Sequence, residues 1–443
     1  MTCFPIEICN LINEYDPRYN LDHTLTDKLI WQCICKNILT IDILNAEYKR
    51  NPYSKNIYWE DVCSNTAAGN IIQAEYERYS DSGDLKWVNI CHNPAAGNII
   101  QAEYKRDQNS KKLDWNGICR NKVVVNIIEA EYKRDRNSKN IKWTDIYDYL
   151  TSVEIVYAEY KYNRNSKKLN WESICYNAVF IDIVNAEYTY DRNSKYLDWE
   201  SICWNPAAID IIQAEYTRNR NSKKLHWECI CRNMAAIDII QTEYNRNSEK
   251  LNWESICCNL AAADIIRLEY KHNPNSNNLH WNFICGNPKV IDIIVAEYKR
   301  NSNSSALNWT RICISTAAIN IITDEYERNQ NSKKLDWWCI CSNPVASDII
   351  AAEYKRDSNS SKLHWTCICS NTAAGNIIQA EYKRDPNSKK LNWNCICSNT
   401  AAVSIIQAEY KRDPNSDNLK WYSIFNNPNI FTKNIEHLSS LVW

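Results

Sequence analysis

The chain has 443 residues, 44% hydrophobic and 24% charged, with a formal net charge of −1. This composition excludes a disordered chain, and the interleaved charges argue against a dedicated non-specific nucleic-acid binder, which carries a basic excess. No run approaches the roughly 18 consecutive apolar residues of a membrane span, and the start, Met1 to Asn10, lacks a signal-peptide pattern, so no membrane partner and no secretion are expected.

Residues 1–30 hold a degenerate unit, Pro5 to Tyr15, and a longer connection, and are expected to cap the fold at its amino end. From Trp31 onward tryptophan recurs at 59, 87, 115, 143, 171, 199, 227, 253, 281, 309, 337, 365, 393 and 421, always 28 residues apart except for 26 between Trp227 and Trp253. Each interval also carries a Glu-Tyr pair, from Glu47-Tyr48 to Glu409-Tyr410. Residues 31–426 therefore read as about fifteen tandem units, and residues 427–443 as a closing helix with a polar face of Lys433, Glu436 and His437.

The unit beginning at Trp199 shows what each position does. Trp199, Ile202 and Cys203 stand at i, i+3 and i+4, one face of a short helix that an Asp, Asn or His before the tryptophan is expected to cap. Asn205-Pro206 signals a second helix start, Asn as cap and Pro at the first position. Ala208, Ile211, Ile212, Ala214 and Tyr216 then give an apolar face over about twelve residues. The Asn-x-Asn-Ser-Lys segment, Asn219 to Lys223, breaks that helix, because Asn and Ser favour turns. Each unit is thus a helical hairpin whose apolar faces only its neighbours can bury. The expected fold is all-α, an α-solenoid, with Trp59, Trp87, Trp115, Trp199, Trp227, Trp281, Trp365 and Trp393 as its repeated packing residues. Two copies are irregular: Tyr147-Asp148-Tyr149 replaces the Cys-x-Asn after Trp143, and the loop before Trp253 is two residues short.

Twenty-one cysteines invite a disulfide or metal reading, but thirteen lie four residues after a repeat tryptophan, as Cys203 does. Equivalent helices in stacked repeats sit roughly 8–10 Å apart, beyond the ~7 Å Cα separation a disulfide allows. They read as small buried hydrophobes in a reducing compartment. The Cys-x-Cys pairs at 33/35, 229/231, 339/341, 367/369 and 395/397 point to opposite sides of a helix and do not make a metal site.

Other chemistry is sparse. The repeated glutamate, copied fourteen times, is expected to bond an indole N–H, an amide or the arginine three residues on, as Glu103 with Arg106. His226, His280 and His364 share the slot before tryptophan and read as surface caps. No phosphate-binding glycine loop or nucleophile elbow occurs, and no catalytic residue, metal or cofactor is expected. Lys-Arg pairs such as 105–106 and Lys-Lys pairs such as 111–112 form two basic rows, either a solvated face or a phosphate track. The residue five after each tryptophan varies most and reads Lys36, Ser64, His92, Arg120, Asp148, Tyr176, Trp204, Arg232, Cys258 and onward. It is either unconstrained or a partner-reading edge, with Tyr176 and Trp204 at its energetic centre and His92, Arg120 and Arg232 beside them.

The run Ile202-Cys203-x-Asn205-Pro206-x-Ala208-Ile209-x-Ile211-Ile212, followed by Leu225-His226-Trp227, resembles tandem helical repeats encoded by large DNA viruses of amoebae and algae. Their units read approximately Leu-Ser-x-Asn-Pro-x-Ala-Ile-x-Leu-Leu and then Ile-Asp-Trp. The likeness spans essentially the whole chain, with Cys in the Ser place. It implies a viral solenoid located in the host cytoplasm or the virion. The functional expectation is a non-enzymatic scaffold that binds protein partners; a structural virion component and a nucleic-acid-binding repeat protein are the alternatives.

Overall fold

The computed structural model describes residues 31–32, 34–413, 416–420, 423–424, 427 and 429. The expected amino-terminal cap, Trp421 and residues 430–443 of the closing helix lie outside the described residues. Among the described residues every regular element is helical. The fold is an all-α solenoid array, in two compact units: Met1–Ile155 with Trp365–Trp443, and Val156–His364.

The sequence around Trp199 explains the local geometry. The Asp198 carboxylate accepts from the Ser201 amide at 3.3 Å and caps the six-residue helix Trp199–Trp204. Asp114, Asn170, Asn252, Asn308, Asp336 and Asn392 do the same for their helices. His226 and His280 occupy the same slot without capping, a correction to the expectation for histidine. A cap needs a side-chain acceptor turned back onto the N3 amide; the imidazole lacks the carboxylate or amide oxygen and makes no such bond here.

Asn205 ends the short helix with extended backbone, and its Oδ1 accepts from the Ala207 amide at 3.0 Å. The twelve-residue helix expected from this point has two geometries: a three-residue 3₁₀ turn, Pro206–Ala208, and the ten-residue α-helix Ile209–Arg218. Asn205 caps the amide two residues on, and Pro206 has no N–H. The first turn therefore closes tightly, Ala208 N–H to Asn205 O at 3.0 Å. After Arg218 the Asn-x-Asn-Ser-Lys segment makes two consecutive turns, Ser222 N–H to Asn219 O at 2.8 Å and Leu225 N–H to Ser222 O at 3.1 Å.

Within each unit successive short helices pack against one another, as Trp59–Ser64, Trp87–His92 and Trp115–Arg120 do in the first and Trp171–Tyr176, Trp199–Trp204 and Trp227–Arg232 in the second. The deepest layer is aliphatic: Ile202, Cys203, Ala208 and Ile212 have no exposed surface, and their counterparts match. Tryptophan lies at the rim of this layer. Trp59, Trp115, Trp199 and Trp393 are buried, whereas Trp87, Trp227, Trp281 and Trp365 are half-buried. Within each unit the repeat tyrosine meets the following tryptophan edge-on, as Tyr104–Trp115 at 6.0 Å and 81° in the first and Tyr188–Trp199 at 5.9 Å and 74° in the second.

Two polar staples join neighbouring repeats. The capping asparagine also donates Nδ2–H to the carbonyl of the previous repeat's cysteine, Asn93 to Cys63 O at 3.0 Å and Asn205 to Cys175 O at 3.0 Å. The cysteine thiol reaches forward: Cys91 Sγ donates to Lys112 O at 3.8 Å and accepts from the Asp114 amide at 3.3 Å. Among the described residues the cysteines are free thiols.

Both irregular copies are absorbed by single left-handed residues. The helix Trp143–Tyr149 ends on Leu150 at φ 50, and Thr151 Oγ1 donates to Cys119 O at 2.6 Å, where an asparagine would otherwise reach. In the short loop Asn247 takes φ 50, which asparagine tolerates, and Ser248 N–H closes onto Glu243 O at 3.1 Å. The staple resumes there, Asn259 Nδ2–H to Cys231 O at 2.9 Å.

Asn205→Ala removes one cap and leaves a buried carbonyl without its donor, an expected loss of about 2–3 kcal/mol. Asn205→Asp keeps the cap acceptor but sets a buried carboxylate oxygen against Cys175 O in place of the donor. Urea denaturation followed by circular dichroism should therefore show a lowered midpoint for both. A wild-type midpoint in Asn205→Asp would mean the staple contributes nothing.

Candidate functional site

The most elaborate polar arrangement in the molecule surrounds the repeated glutamate, and Glu353 shows it in full. Its side chain has no exposed surface. Arg356, one turn on, donates Nε–H to Oε2 at 2.9 Å and Nη2–H to Oε1. Ser360, from the following turn, donates to Oε1 at 2.6 Å. Tyr326 of the preceding repeat donates its hydroxyl to Oε2 at 3.1 Å, and the Lys362 ammonium stands 3.5 Å from Oε1. The carboxylate thus binds its own helix, its own loop and the neighbouring repeat.

Burial alone would raise the Glu353 pKa. The hydrogen bonds from Arg356 and Ser360 and the charge of Lys362 outweigh it and bring the carboxyl down to about 2. At Glu409 burial is likewise outweighed, here by bonds from Arg412, Ser416 and Asn418, again to about 2. Glu47, Glu103, Glu131, Glu215, Glu297 and Glu325 are lowered in the same way. The arginine partner expected for Glu103 is present, Arg106 Nη2–H to Oε1 at 2.8 Å. The indole partner is replaced by a phenol, since tryptophan turns its ring toward tyrosine; the indole N–H groups of Trp87, Trp171 and Trp337 have no acceptor. A carboxylate held ionised by four or five donors is a poor base and a poor nucleophile.

The two basic rows have internal work. The arginine of each Lys-Arg pair binds its glutamate, as in Arg106–Glu103 at 2.8 Å and Arg300–Glu297 at 2.8 Å. The second lysine of the Lys-Lys pair lies over the preceding repeat's tryptophan, Lys224 Nζ 4.9 Å from the Trp199 ring and Lys112 5.5 Å from Trp87. Lys224 also donates to Arg192 O at 2.5 Å and Lys112 to Ser80 O at 2.8 Å. The first lysine, such as Lys111 or Lys223, remains exposed. Sequence reading missed this division, because the lysine's target lies more than twenty residues away in a different turn.

The variable position, which ends the short helix in most copies, is exposed in most of them. His92 and Arg120 lie in the first unit. His92 Nδ1 is 2.9 Å from Val88 O and 3.8 Å from Asp114. Arg120 pairs with Asp145 at 3.0 Å and covers the Tyr149 ring at 5.2 Å. In the second unit Tyr176 is 58% exposed, Trp204 is half-buried, and the Arg232 guanidinium stands 5.6 Å over the Trp204 ring while donating to Ser255 Oγ at 3.1 Å. The fold thus brings Trp204 and Arg232 together; Tyr176 occupies the same slot one repeat earlier.

The repeat cysteines have raised pKa values through burial, about 12 for Cys91 and Cys203 and about 11 for Cys63, which keeps them protonated and unreactive. Among the described residues no group of three or more His, Cys, Asp or Glu side chains could hold a metal ion, and no helix is long and apolar enough to cross a membrane. Comparison of the chain with known protein families, curated proteins and solved structures found no match.

The lowered carboxyls fix a pH dependence. In the unfolded chain glutamate titrates near ~4.3. A carboxyl at about 2 in the fold contributes stability that is complete above the unfolded value and lost as pH falls toward the folded one. The urea midpoint should hold level from neutral pH to about 5 and drop between about 4.5 and 2. A midpoint that stays level to pH 2 would show that these glutamates are not held ionised by the fold.

Proposed function

We propose that the chain is a non-enzymatic α-solenoid scaffold that presents a docking edge to another protein, centred in the second unit on Tyr176, Trp204 and Arg232. The observation that carries this reading is the division of roles within each repeat. Glutamate, cysteine, the second lysine and asparagine, residue types that usually carry chemistry, are engaged in holding one repeat to the next, and arginine pairs with the glutamate of its own helix. The position that changes from copy to copy is surface-facing, and in two adjacent copies it bears large aromatic rings. Aromatic residues with arginine are the composition of energetic centres in protein interfaces.

The likeness of the repeat to those of large DNA viruses supports a role in the host cytoplasm or the virion, where such a scaffold would link viral or host proteins. A nucleic-acid role draws less support, because the arginine row and half of the lysine row that would track phosphates are committed to glutamates and tryptophans.

The test is affinity purification of the tagged full chain from a lysate of the native source, with and without nuclease, alongside Tyr176→Ser/Trp204→Ser. The reading expects defined protein partners that survive nuclease and fall by about tenfold in the double variant, as loss of a central aromatic pair should produce. Recovery that collapses with nuclease would move the assignment to nucleic acid, and partners retained at wild-type levels by the double variant would remove this edge from the interface.

A further inference from the structure

The glutamate network is re-routed in two consecutive repeats of the second unit, and the change exposes aromatic rings. In Glu159-Tyr160-Lys161-Tyr162 and Glu187-Tyr188-Thr189-Tyr190, tyrosine replaces the arginine that binds the glutamate in most copies; the Glu269 copy carries His272 there. Glu187 is instead served from the preceding turn: Arg164 donates Nη2–H to Oε1 at 2.9 Å, and its Nε is left buried without an acceptor. The exchange therefore has a local cost, and its product is surface. Tyr162 and Tyr190 are 66% and 73% exposed, among the most exposed large side chains in the molecule. Arg164 stacks on the Tyr190 ring at 3.7 Å, which fixes its plane. On the turn that follows Tyr190, Tyr196 takes the place of the usual lysine and lies flat on Trp171 at 5.1 Å and 21°, its hydroxyl donating to Asn165 Oδ1 at 2.9 Å.

We propose that Tyr162 and Tyr190 form a docking edge for an extended, proline-rich protein segment with acidic flanks. The first argument is spacing. Equivalent residues of adjacent repeats stand roughly 8–10 Å apart, and a polyproline II segment advances about 9.3 Å per three-residue turn. Prolines at i and i+3 would each meet one phenol, the mode by which aromatic-lined surfaces take proline-rich ligands. The second argument is charge. On the turns at residues 161–168 and 189–196, Lys161, Lys167, Arg192 and Lys195 are exposed against one exposed acid, Asp191. The third is pre-organisation, since Arg164 already fixes the plane of the Tyr190 ring, and a polyproline segment loses little entropy on binding. A single-stranded nucleic acid fits less well, because two phenols one repeat apart leave the intervening bases without stacking partners.

This inference rests on the reading of the chain as a protein-binding scaffold but uses the carboxyl ends of the long helices, away from the junction that carries Tyr176. The experiment is selection of a random library of peptides of about 12 residues on the full chain, followed by fluorescence anisotropy of the best binders. Enriched peptides should carry two prolines three apart beside Asp or Glu. Tyr162→Ser/Tyr190→Ser should weaken the best peptide by about tenfold or more, while Tyr176→Ser/Trp204→Ser should leave it within about twofold. Thermal melts by circular dichroism establish that each variant is folded, and Tyr162→Phe/Tyr190→Phe, which keeps the rings, should retain most of the affinity. Selection without that proline spacing, unchanged affinity in the serine variant, or tighter binding of an oligouridine strand of similar length would each overturn the proposal. Peptide binding lost equally in both serine variants would merge the two edges and overturn the separate site.

Discussion

A carboxylate repeated along the chain and fully buried in most copies is the constraint around which the structure is arranged. Burying one charge without partners is prohibitive, so every copy must deliver its donors together. They come from three places: the arginine one turn along the same helix, the serine of the following turn, and the tyrosine of the previous repeat, as at Glu353 with Arg356, Ser360 and Tyr326. The carboxylate therefore ties helix length, loop conformation and repeat stacking to one another. A helix one residue longer, or a loop with its serine displaced, would leave a buried charge short of a donor.

That requirement explains the surface as well as the core. Because arginine goes to glutamate and the second lysine to tryptophan, many of the cations that look like a basic stripe in the sequence are already partnered, although the arginines and the first lysines keep exposed surface. Net charge near zero then reflects internal pairing as much as a mixed exterior. Where a repeat departs from the rule, as at Tyr162 and Tyr190, the missing arginine has to be supplied from elsewhere, and Arg164 supplies it at Glu187. Such departures are where a regular array acquires individual surface features. The variable slot at Tyr176 and Trp204 shows the complementary case, in which the core imposes nothing and the side chain is open to other uses.

Much of the fold was legible because its signals are local. The tryptophan period set the repeat, Asp198 and Asn205 marked helix starts, and the Asn-Ser segments marked turns. What stayed hidden were second roles. Asn205 already had an explanation as a cap, so nothing in the sequence asked where its amide hydrogens go; they go thirty residues back, to Cys175 O. The histidine slot was misread because position alone cannot distinguish an oxygen that turns back from a ring that does not. The glutamate–arginine pair was read correctly from its spacing, but full burial and the tyrosine from the neighbouring repeat depend on stacking. Tyr162 and Tyr190 could have been noticed as the two copies in which tyrosine breaks the Glu-x-x-Arg rule.

The most direct measurement is a double-mutant cycle across one repeat boundary, with Tyr326→Phe, Glu353→Gln and the pair compared by urea denaturation. If the buried carboxylate joins adjacent repeats, the two substitutions share one interaction, and the coupling energy should reach about 1–2 kcal/mol. Effects that add to within about 0.3 kcal/mol would mean the phenol and carboxylate act independently, and the claim that this residue couples the repeats would fall.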